Sequence, residues 1–223
     1  MRIIHISDFH ACEPWFDWAS SVLQGFDLCV YSGDWLAFGR ADFWQQIGWV
    51  SNWIRNCPIP LITCSGNHDW YSPEWGRGGN GEWLHRLNKS GRVWVDHDTF
   101  PIGEFHGVVC AWQHEPCLPL PENGPLMLVS HAPPSQTRLS SSDGRDYGDD
   151  WIHEASQRVC PGSLLLCGHV HAPLGHVQQI GNFLCINAGR GSEGRIVPNH
   201  AIIDTESHSV EIHADDAVKR IVW

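Results

Sequence analysis

The order of apolar and polar positions along the chain predicts an α/β fold whose first half alternates strands and helices. Short apolar runs at residues 2–6, 27–31 and 60–64 are separated by helical patterns at 14–24 and 41–55. In the second helical pattern the apolar residues recur at a period near 3.6, as one buried helix face requires. Alternation of this kind favours parallel strands joined by crossover helices.

The second half of the chain is predicted to be richer in strands. Helical patterns occur at 81–87 and 149–159, among strand-like runs at 92–95, 107–111, 126–129 and 163–167. Four further strand-like runs follow at 174–180, 183–187, 201–204 and 210–213. They are separated by short turns, which predicts an antiparallel meander. Two facing sheets with helices outside them fit this pattern. Segments 72–81 and 132–146 are predicted to be irregular, and the glycines of the first predict mobility.

Five polar clusters each follow directly on an apolar, strand-like run. They are Ser7-Asp8-Phe9-His10, Ser32-Gly33-Asp34, Ser65-Gly66-Asn67-His68-Asp69, Ser130-His131-Ala132-Pro133-Pro134 and Gly168-His169-Val170-His171. In open α/β sheets the ligand site lies beyond the carboxyl ends of the strands, so the clusters are expected to converge on one crevice. This expectation assumes that the five strands share one sheet edge. Gly33, Gly66 and Gly168 are expected to allow sharp turns and close approach to bound ions.

The side chains in these clusters are typical metal ligands. Carboxylate, amide and imidazole donors suit manganese, iron or zinc better than calcium or copper(I), and we favour manganese. Seven donors exceed what one ion can use while a position stays open for substrate. Two ions that share one bridging carboxylate would use all seven, and would clamp the attacking and leaving oxygens of a displacement.

Composition and charge narrow the class of protein. A length of 223 residues suits one domain, predicted to span 1–223. The net charge of −11 argues against long nucleic acid as a partner, whereas a nucleotide substrate stays open because bound cations reverse the local potential. Nine cysteines without a Cys-x-x-Cys pair are interpreted as reduced core residues. No signal peptide or membrane-length apolar run is recognised, so we expect a cytoplasmic protein with no membrane partner.

The order of these residues closely resembles the calcineurin-like metallophosphoesterase superfamily, over about residues 2–190. The resemblance implies a four-layer α-β-β-α sandwich of two mixed sheets flanked by helices. It also implies two metal ions, with Asp8, His10 and His171 on the first, Asn67, His131 and His169 on the second, and Asp34 bridging both. His68 matches the family's non-ligand histidine. The implied mechanism is attack on phosphorus by a metal-bridging hydroxide, with His68 as general acid for the leaving group.

One departure from the family narrows the subclass. Protein Ser/Thr phosphatases of the superfamily carry Gly-Asp-x-x-Asp-Arg-Gly, whereas here Gly33-Asp34 continues as Trp-Leu-Ala-Phe-Gly. The second aspartate and its arginine are missing, which argues against a protein phosphatase. Asp69 is then the candidate for orienting His68. The sequence is more similar to the small branch whose phosphodiesterases act on nucleotides or other small diesters.

We therefore predict hydrolysis of a small phosphodiester, with a nucleotide among the candidate substrates. A phosphomonoesterase or pyrophosphatase with the same centre stays open, because the sequence does not separate these activities. A non-catalytic scaffold is disfavoured because every ligand position and His68 are filled, and a nuclease on long DNA is disfavoured by the acidic balance. No oligomeric state is predicted. The candidate substrate contacts are His114 and Arg190, and beyond these Arg77, Arg195, Trp70 and Tyr71.

Overall fold

The structure is a computed structural model that describes residues 1–37, 39–72, 76–77, 82–87, 91–116, 124–192 and 194–223. Over these residues the helices are α1 (Glu13–Val22), α2 (Phe43–Arg55), α3 (Glu82–His85) and α4 (Trp151–Arg158), and a 3-10 turn follows α1 at Leu23–Gly25. The strands, in chain order, are β1 (Arg2–Ile6), β2 (Leu28–Ser32), β3 (Leu61–Cys64), β4 (Tyr71–Ser72), β5 (Gly76–Arg77), β6 (Val93–Trp94), β7 (Thr99–Ile102), β8 (Phe105–Val109), β9 (Leu126–Val129), β10 (Ser141–Ser142), β11 (Arg145–Asp146), β12 (Ser163–Cys167), β13 (Val177–Ile180), β14 (Phe183–Asn187), β15 (His200–Asp204), β16 (Ser209–Ala214) and β17 (Ala217–Val222).

The first large sheet has the order β17-β16-β15-β1-β2-β3-β6. Its strands β1, β2, β3 and β6 are parallel, and α1 and α2 form the crossovers within the first three. The strands β15, β16 and β17 extend this sheet in antiparallel fashion from β1. The prediction of parallel strands with crossover helices in the first half is confirmed.

The second large sheet has the order β13-β14-β12-β9-β8-β7. Its four central strands are parallel to one another, and the edge strands β7 and β13 run antiparallel to their neighbours. Both large sheets are therefore mixed. The strands β9 and β12, which precede two of the polar clusters, lie side by side in the middle of this sheet.

The core is organised in three layers that explain why the central strands are apolar throughout. Alternate residues of a strand point to opposite faces, so Ile3 enters the core between the sheets while Ile4 packs beneath α1 and α2. In the second sheet, Leu164 faces the same central core and Leu165 packs against α4. Helices thus cover the outer faces of two packed sheets. The four-layer α-β-β-α sandwich is confirmed.

The predicted meander at the end of the chain is wrong. Its first two strands, β13 and β14, form a hairpin in the second sheet, whereas β15 and β16 belong to the first. Short turns correctly indicated the two hairpins, but local turn chemistry carries no information about the crossover between them. The edge strands β7 and β17 were not predicted. β7 contains a proline and β17 carries Lys219 and Arg220, which are residues that edge strands tolerate and that weaken a strand pattern.

The two segments predicted to be irregular have different outcomes. Within 132–146, β10 and β11 pair as a short hairpin, so that prediction is wrong over Ser141–Ser142 and Arg145–Asp146. Segment 72–81 lies largely outside the described residues, but β4 and β5 pair there through Ser72 and Gly76, so the prediction of irregular structure is wrong at these positions. The predicted mobility of this segment stays a prediction. Seven of the eight described cysteines, all except Cys160, are free, and most of them are buried, as predicted for reduced core residues; the reducing compartment stays a prediction. Among the described helices, none combines the length and the apolar character that crossing a membrane requires.

Candidate metal centre

The five polar clusters meet at one place, although they come from two sheets. Those led by Ser7, Ser32 and Ser65 follow β1, β2 and β3 of the first sheet, and those led by Ser130 and Gly168 follow β9 and β12 of the second. The assumption of a single shared sheet edge is therefore wrong. The site is the crevice between the carboxyl ends of two facing sheets.

One group of donors lies around Asp8. Ligand atoms of Asp8, His10, Asp34 and His171 all lie within 4.8 Å of one another. The Nε2 atoms of His10 and His171 are 3.0 Å apart, and the latter is 3.6 Å from Oδ1 of Asp8. Nε2 of His10 lies 3.7 Å from Oδ2 of Asp34. Two imidazole nitrogens and two carboxylates therefore face a common point.

A second group lies on the other side of Asp34. Nε2 of His131 is 3.4 Å from Oδ2 of Asp34 and 3.2 Å from Oδ1 of Asn67. The rings of His131 and His169 have centroids 5.0 Å apart. Asp34 therefore stands between the two groups of donors, and one of its oxygens faces both.

The two carboxylates are fixed in the same way, each by a backbone N–H from another cluster. Oδ2 of Asp8 accepts a hydrogen bond from the N–H of His169 (3.1 Å), and Oδ1 of Asp34 accepts one from the N–H of His68 (2.8 Å). The other oxygen of each carboxylate turns to the imidazoles. Cross-linking of the clusters through backbone donors holds the carboxylates in place without using the oxygens that face the centre.

Backbone strain is concentrated in these clusters. Asp8 (φ 59°), His10 (φ 46°), Asp34 (φ 59°) and His169 (φ 67°) all adopt the left-handed region. Non-glycine residues persist there, at a cost of about 1–3 kcal/mol each, only where the surroundings over-determine the conformation. Two backbone hydrogen bonds help to fix this conformation. The N–H of Asp8 donates to the carbonyl of Gly33 (3.0 Å), and the N–H of His10 donates to the carbonyl of Asp34 (3.1 Å). Strain is therefore stored where the donors converge.

Asp69 has a role different from the one predicted. Its buried carboxylate accepts hydrogen bonds from the backbone N–H groups of Asp34 (2.9 Å), Trp35 (3.0 Å), Leu36 (3.2 Å) and Gly66 (2.9 Å). The expectation that Asp69 orients the His68 imidazole is corrected, because these bonds commit both oxygens to the backbone. Asp69 shapes the turn that carries Asp34.

The glycines of the clusters are required by contacts with the donors. A Cβ on Gly33 would collide with the ring of His131, one on Gly66 with the carboxylate of Asp34, and one on Gly168 with that of Asp8. The sequence prediction of close approach at these positions is thus explained by the donor side chains themselves.

Two imidazoles are oriented by backbone carbonyl groups. Nδ1 of His131 donates to the carbonyl of Ser32 (2.7 Å), and Nδ1 of His10 donates to that of Leu36 (3.2 Å). A carbonyl oxygen accepts only, so Nδ1 carries a proton, and in the neutral imidazole that binds a metal the lone pair of Nε2 points into the centre. Histidines that bind metals are held by the same kind of outer hydrogen bond.

The electrostatics of the site reflect buried groups of both signs. Burial by itself would raise the pKa of Asp34 and lower that of His131, but their attraction to each other, together with further charged and hydrogen-bonding neighbours, outweighs burial in both. The pKa of Asp34 is held below its usual range, and that of His131 rises to about 9. Burial raises the pKa of Asp8. Burial, reinforced by neighbouring histidines, lowers the pKa of His10 and that of His169 to about 3. The carboxylates need nearby positive charge to stay ionised.

The donors fit a divalent metal ion on independent grounds. Oδ1 of Asp8 is fully buried and has no hydrogen-bond partner among the described residues, since the nearest imidazole nitrogens are 3.6 Å and 3.9 Å away. A buried carboxylate oxygen without a partner is costly, and a cation would satisfy it. Oxygen and imidazole donors without a thiolate are the set that manganese, iron and zinc accept.

His68 lies beside the donors. Its ring centroid is 4.3 Å from that of His10, and its Nε2 is 3.9 Å from Oδ2 of Asp34. The side chain is 26 % exposed and lines a pocket of about 320 Å³ above the centre. The imidazole therefore reaches both the centre and the space that a substrate would occupy.

The rim of the site, defined as Ser142, Asp143 and Tyr147, was missed by sequence reasoning. These residues line the pocket together with His68 and His169. The hydroxyl of Tyr147 donates to the carboxylate of Asp143 (3.2 Å to Oδ1). No sequence signal pointed to them, because they belong to the β10–β11 segment whose position depends on the packing of the second sheet.

The two main candidate substrate contacts, His114 and Arg190, lie outside the pocket lining. His114 is exposed and packs beside the rings of His97 (5.1 Å) and Trp70 (6.0 Å). Nε of Arg190 donates to the carbonyl of Asp8 (3.1 Å), and its guanidinium lies 5.2 Å from the ring centre of Trp15.

The remaining candidate substrate contacts either bond to other groups of the protein or lie outside the described residues. Arg195 pairs with Asp216 at 3.0 Å, and the indole N–H of Trp70 donates to Ser65 (2.8 Å). The side chains of Tyr71 and Arg77 lie outside the described part of the structure. Both described arginines among the candidate substrate contacts, Arg190 and Arg195, therefore already bond to neighbouring groups of the protein.

Comparisons with known proteins agree with this geometry. The family model of the calcineurin-like phosphoesterases matches residues 1–173. Among solved structures, TT1561 of Thermus thermophilus is 13 % identical with a TM-score of 0.66, over 96 % of this chain and 98 % of that one. Yfce, a phosphoesterase from E. coli, is 14 % identical with a TM-score of 0.56, over 100 % and 99 %. The purple acid phosphatase PPD1 of yellow lupin is 12 % identical with a TM-score of 0.63, over 99 % of this chain and 53 % of that one.

At these identities the structural likeness shows the fold alone. No curated protein sequence matches the chain. The family assignment rests on the family model, which covers most of the 223 residues. The chain belongs to the calcineurin-like phosphoesterase family and is a phosphoester hydrolase.

Proposed function

We propose that the protein hydrolyses a small phosphodiester at a centre of two divalent metal ions, with manganese as the favoured metal. The observation that carries the proposal is the position of Asp34, whose Oδ2 faces imidazoles of both donor groups. A carboxylate placed between two sets of donors suits a bridging ligand. The pairing of β1 with β15 also supports treating residues 1–223 as one domain.

Seven side chains are the proposed ligands. Asp8, His10 and His171 would hold the first ion, Asn67, His131 and His169 the second, and Asp34 both. When bound there, the ions would lower the pKa of water and neutralise charge on the phosphoryl oxygens. The backbone hydrogen bonds to Asp8 and Asp34 keep these carboxylates oriented before substrate arrives.

We assign His68 to the leaving group. Its backbone N–H is tied to Asp34, so its imidazole is held beside the centre while its exposed edge reaches the pocket. From this position the ring can give a proton to the departing oxygen. Asp69 is committed to the backbone, so it influences the place of His68 through the shape of the turn and not as a direct partner of the imidazole.

The charge of the pocket supports a diester rather than a monoester. The described lining residues include no lysine or arginine, and they include the carboxylate of Asp143. A phosphomonoester carries up to two negative charges at neutral pH, whereas a diester carries one. With the metal ions as the only strong positive charge that the described lining offers, no lysine or arginine there pairs with the second charge of a monoester, and the carboxylate of Asp143 repels it.

A rate comparison on matched aryl esters tests the proposal. Purified protein loaded with manganese would be given bis(p-nitrophenyl) phosphate and p-nitrophenyl phosphate, and its metal content would be measured in parallel. We expect about two metal ions per chain and a higher kcat/KM for the diester. A higher kcat/KM for the monoester, or for pyrophosphate, would replace this proposal with the alternative activity at the same centre. Metal-free, inactive protein would indicate a non-catalytic scaffold.

A further inference from the structure

A second concave site lies away from the metal centre, between α1 and α2. It is a groove of about 680 Å³, and its lining includes Glu13, Asp17, Phe16, Trp49 and Trp53. Its volume falls within the range of about 300–1,000 Å³ that is usual for small-molecule sites. Neither the fold nor the phosphoesterase chemistry accounts for an open cavity lined in this way.

The aromatic wall of the groove is well ordered by its contacts. The buried ring of Phe16 meets Trp49 edge-on at 4.8 Å and Trp53 edge-on at 5.3 Å. Trp53 is fixed further by its indole N–H, which donates to Ser20 (2.8 Å). The two tryptophans are one helical turn apart on α2 and both stay partly exposed. Tryptophan faces attract organic cations, and indole rings also cover methylene groups.

The part of the lining that α1 contributes is acidic as well as aromatic. Glu13 and Asp17 are exposed and lie one turn apart on α1, which separates their Cβ atoms by about 5–6 Å. Neither forms an ion pair with the described part of the chain. The described lining contains no lysine, arginine or histidine. The guanidinium of Arg92 bonds to the carbonyl of Pro58, past the C-terminal end of α2, whereas the two carboxylates lie at the start of α1.

We propose that this groove binds a linear aliphatic polyamine. Its ammonium groups would pair with Glu13 and Asp17, and its methylene segments would pack on Trp49 and Trp53. Two carboxylates one helical turn apart match ammonium groups separated by a short alkyl chain. A bare divalent cation would leave the indole rings unused. Among the described residues, the two carboxylates belong to no group of three or more potential ligands that could hold a metal ion.

Calorimetric titration of the full chain with spermidine tests this inference. The Glu13→Gln/Asp17→Asn variant removes both charges while keeping the side-chain shapes. The matched control is Glu104→Gln/Glu154→Gln, which removes two exposed carboxylates that do not line the groove. We expect the first variant to weaken spermidine binding by at least about tenfold and the control by less than about twofold.

A third variant separates the aromatic contribution from simple charge attraction. Trp49→Leu keeps an apolar side chain but removes the indole face, and we expect about two- to fivefold weaker binding. Circular dichroism would check that each variant is folded. Equal losses in the groove variant and the control, or no spermidine binding by the wild type, would overturn the proposal. So would binding of oligolysine without binding of spermidine, which would assign the groove to a basic protein segment instead.

Discussion

The floor and the rim of the metal centre are built in opposite ways. The floor consists of Asp8, Asp34 and His131, which are at most 1 % exposed and are each fixed by a backbone group of another cluster. The rim carries Asp143 on an exposed turn, and Tyr147 is 36 % exposed. The floor is determined by where the strands of two sheets end, whereas the rim is determined by one short hairpin.

This difference separates two properties of the enzyme. Ligand geometry depends on groups that the core holds rigidly, so it should respond to substitutions in an all-or-none way. Substrate preference depends on side chains that solvent already screens, so it should change gradually.

Asp34→Asn should have the largest effect. The substitution keeps the shape but removes the negative charge that both donor groups share. We expect kcat/KM to fall by more than about 10³-fold, since losing even one preorganised donor typically costs about 10²–10³. Metal analysis should show less than the full complement of ions. Normal metal content with normal rate would contradict the bridging role.

His68→Gln should reduce turnover while the metal ions stay bound. Loss of a general acid typically costs about 10²–10⁴ in rate. The loss should be smaller for a p-nitrophenyl leaving group, which departs without a proton, than for an unsubstituted phenyl or alkyl group. This dependence on the leaving group is the measurement. A uniform loss over all leaving groups, or loss of metal, would place His68 among the ligands or the structural residues.

The sequence predicted the place of the candidate site correctly where the local pattern of apolar and polar residues itself determines the geometry. Apolar runs followed by Asp8, Asp34 or His169 predicted a convergent site, because strand ends are positions that the pattern itself defines. The same runs did not reveal that β9 and β12 belong to a different sheet from β1 to β3. The sheet to which a strand belongs depends on contacts between residues distant in the chain. The alternation of apolar and polar residues along a single strand carries no information about such contacts.

Two residues show the same limit at the level of side chains. Asp69 stood in a conspicuous motif, yet its four backbone partners come from turns that only the fold brings together. Tyr147 carried no signal at all, since its distance to the centre is set by the β10–β11 hairpin. Residue types predicted the chemistry of the floor, whereas tertiary packing decided the rest.

Asp69→Asn should have an intermediate effect that is expressed as metal affinity. An amide offers one acceptor oxygen, so it cannot accept hydrogen bonds from all four backbone N–H groups that shape the Asp34 turn. Residues that support metal ligands typically contribute about 10–100-fold to affinity, and we expect a loss of about that size. Titration with manganese would measure it. Saturating manganese should restore most of the activity, unlike in Asp34→Asn, and failure to do so would show that Asp69 acts on catalysis directly.

Asp143→Asn should have the smallest effect, confined to the choice between esters. Removing this exposed charge lowers the repulsion of a dianionic monoester more than that of a monoanionic diester, so the diester preference should fall by about three- to tenfold. Salt screens exposed charges, and the difference between variant and wild type should therefore shrink as ionic strength rises. Tyr147→Phe is the matched control, because it removes the hydroxyl bonded to Asp143 without changing the charge. If both variants shifted the preference equally, the rim would select by hydrogen bonding or shape, and charge would not explain the preference.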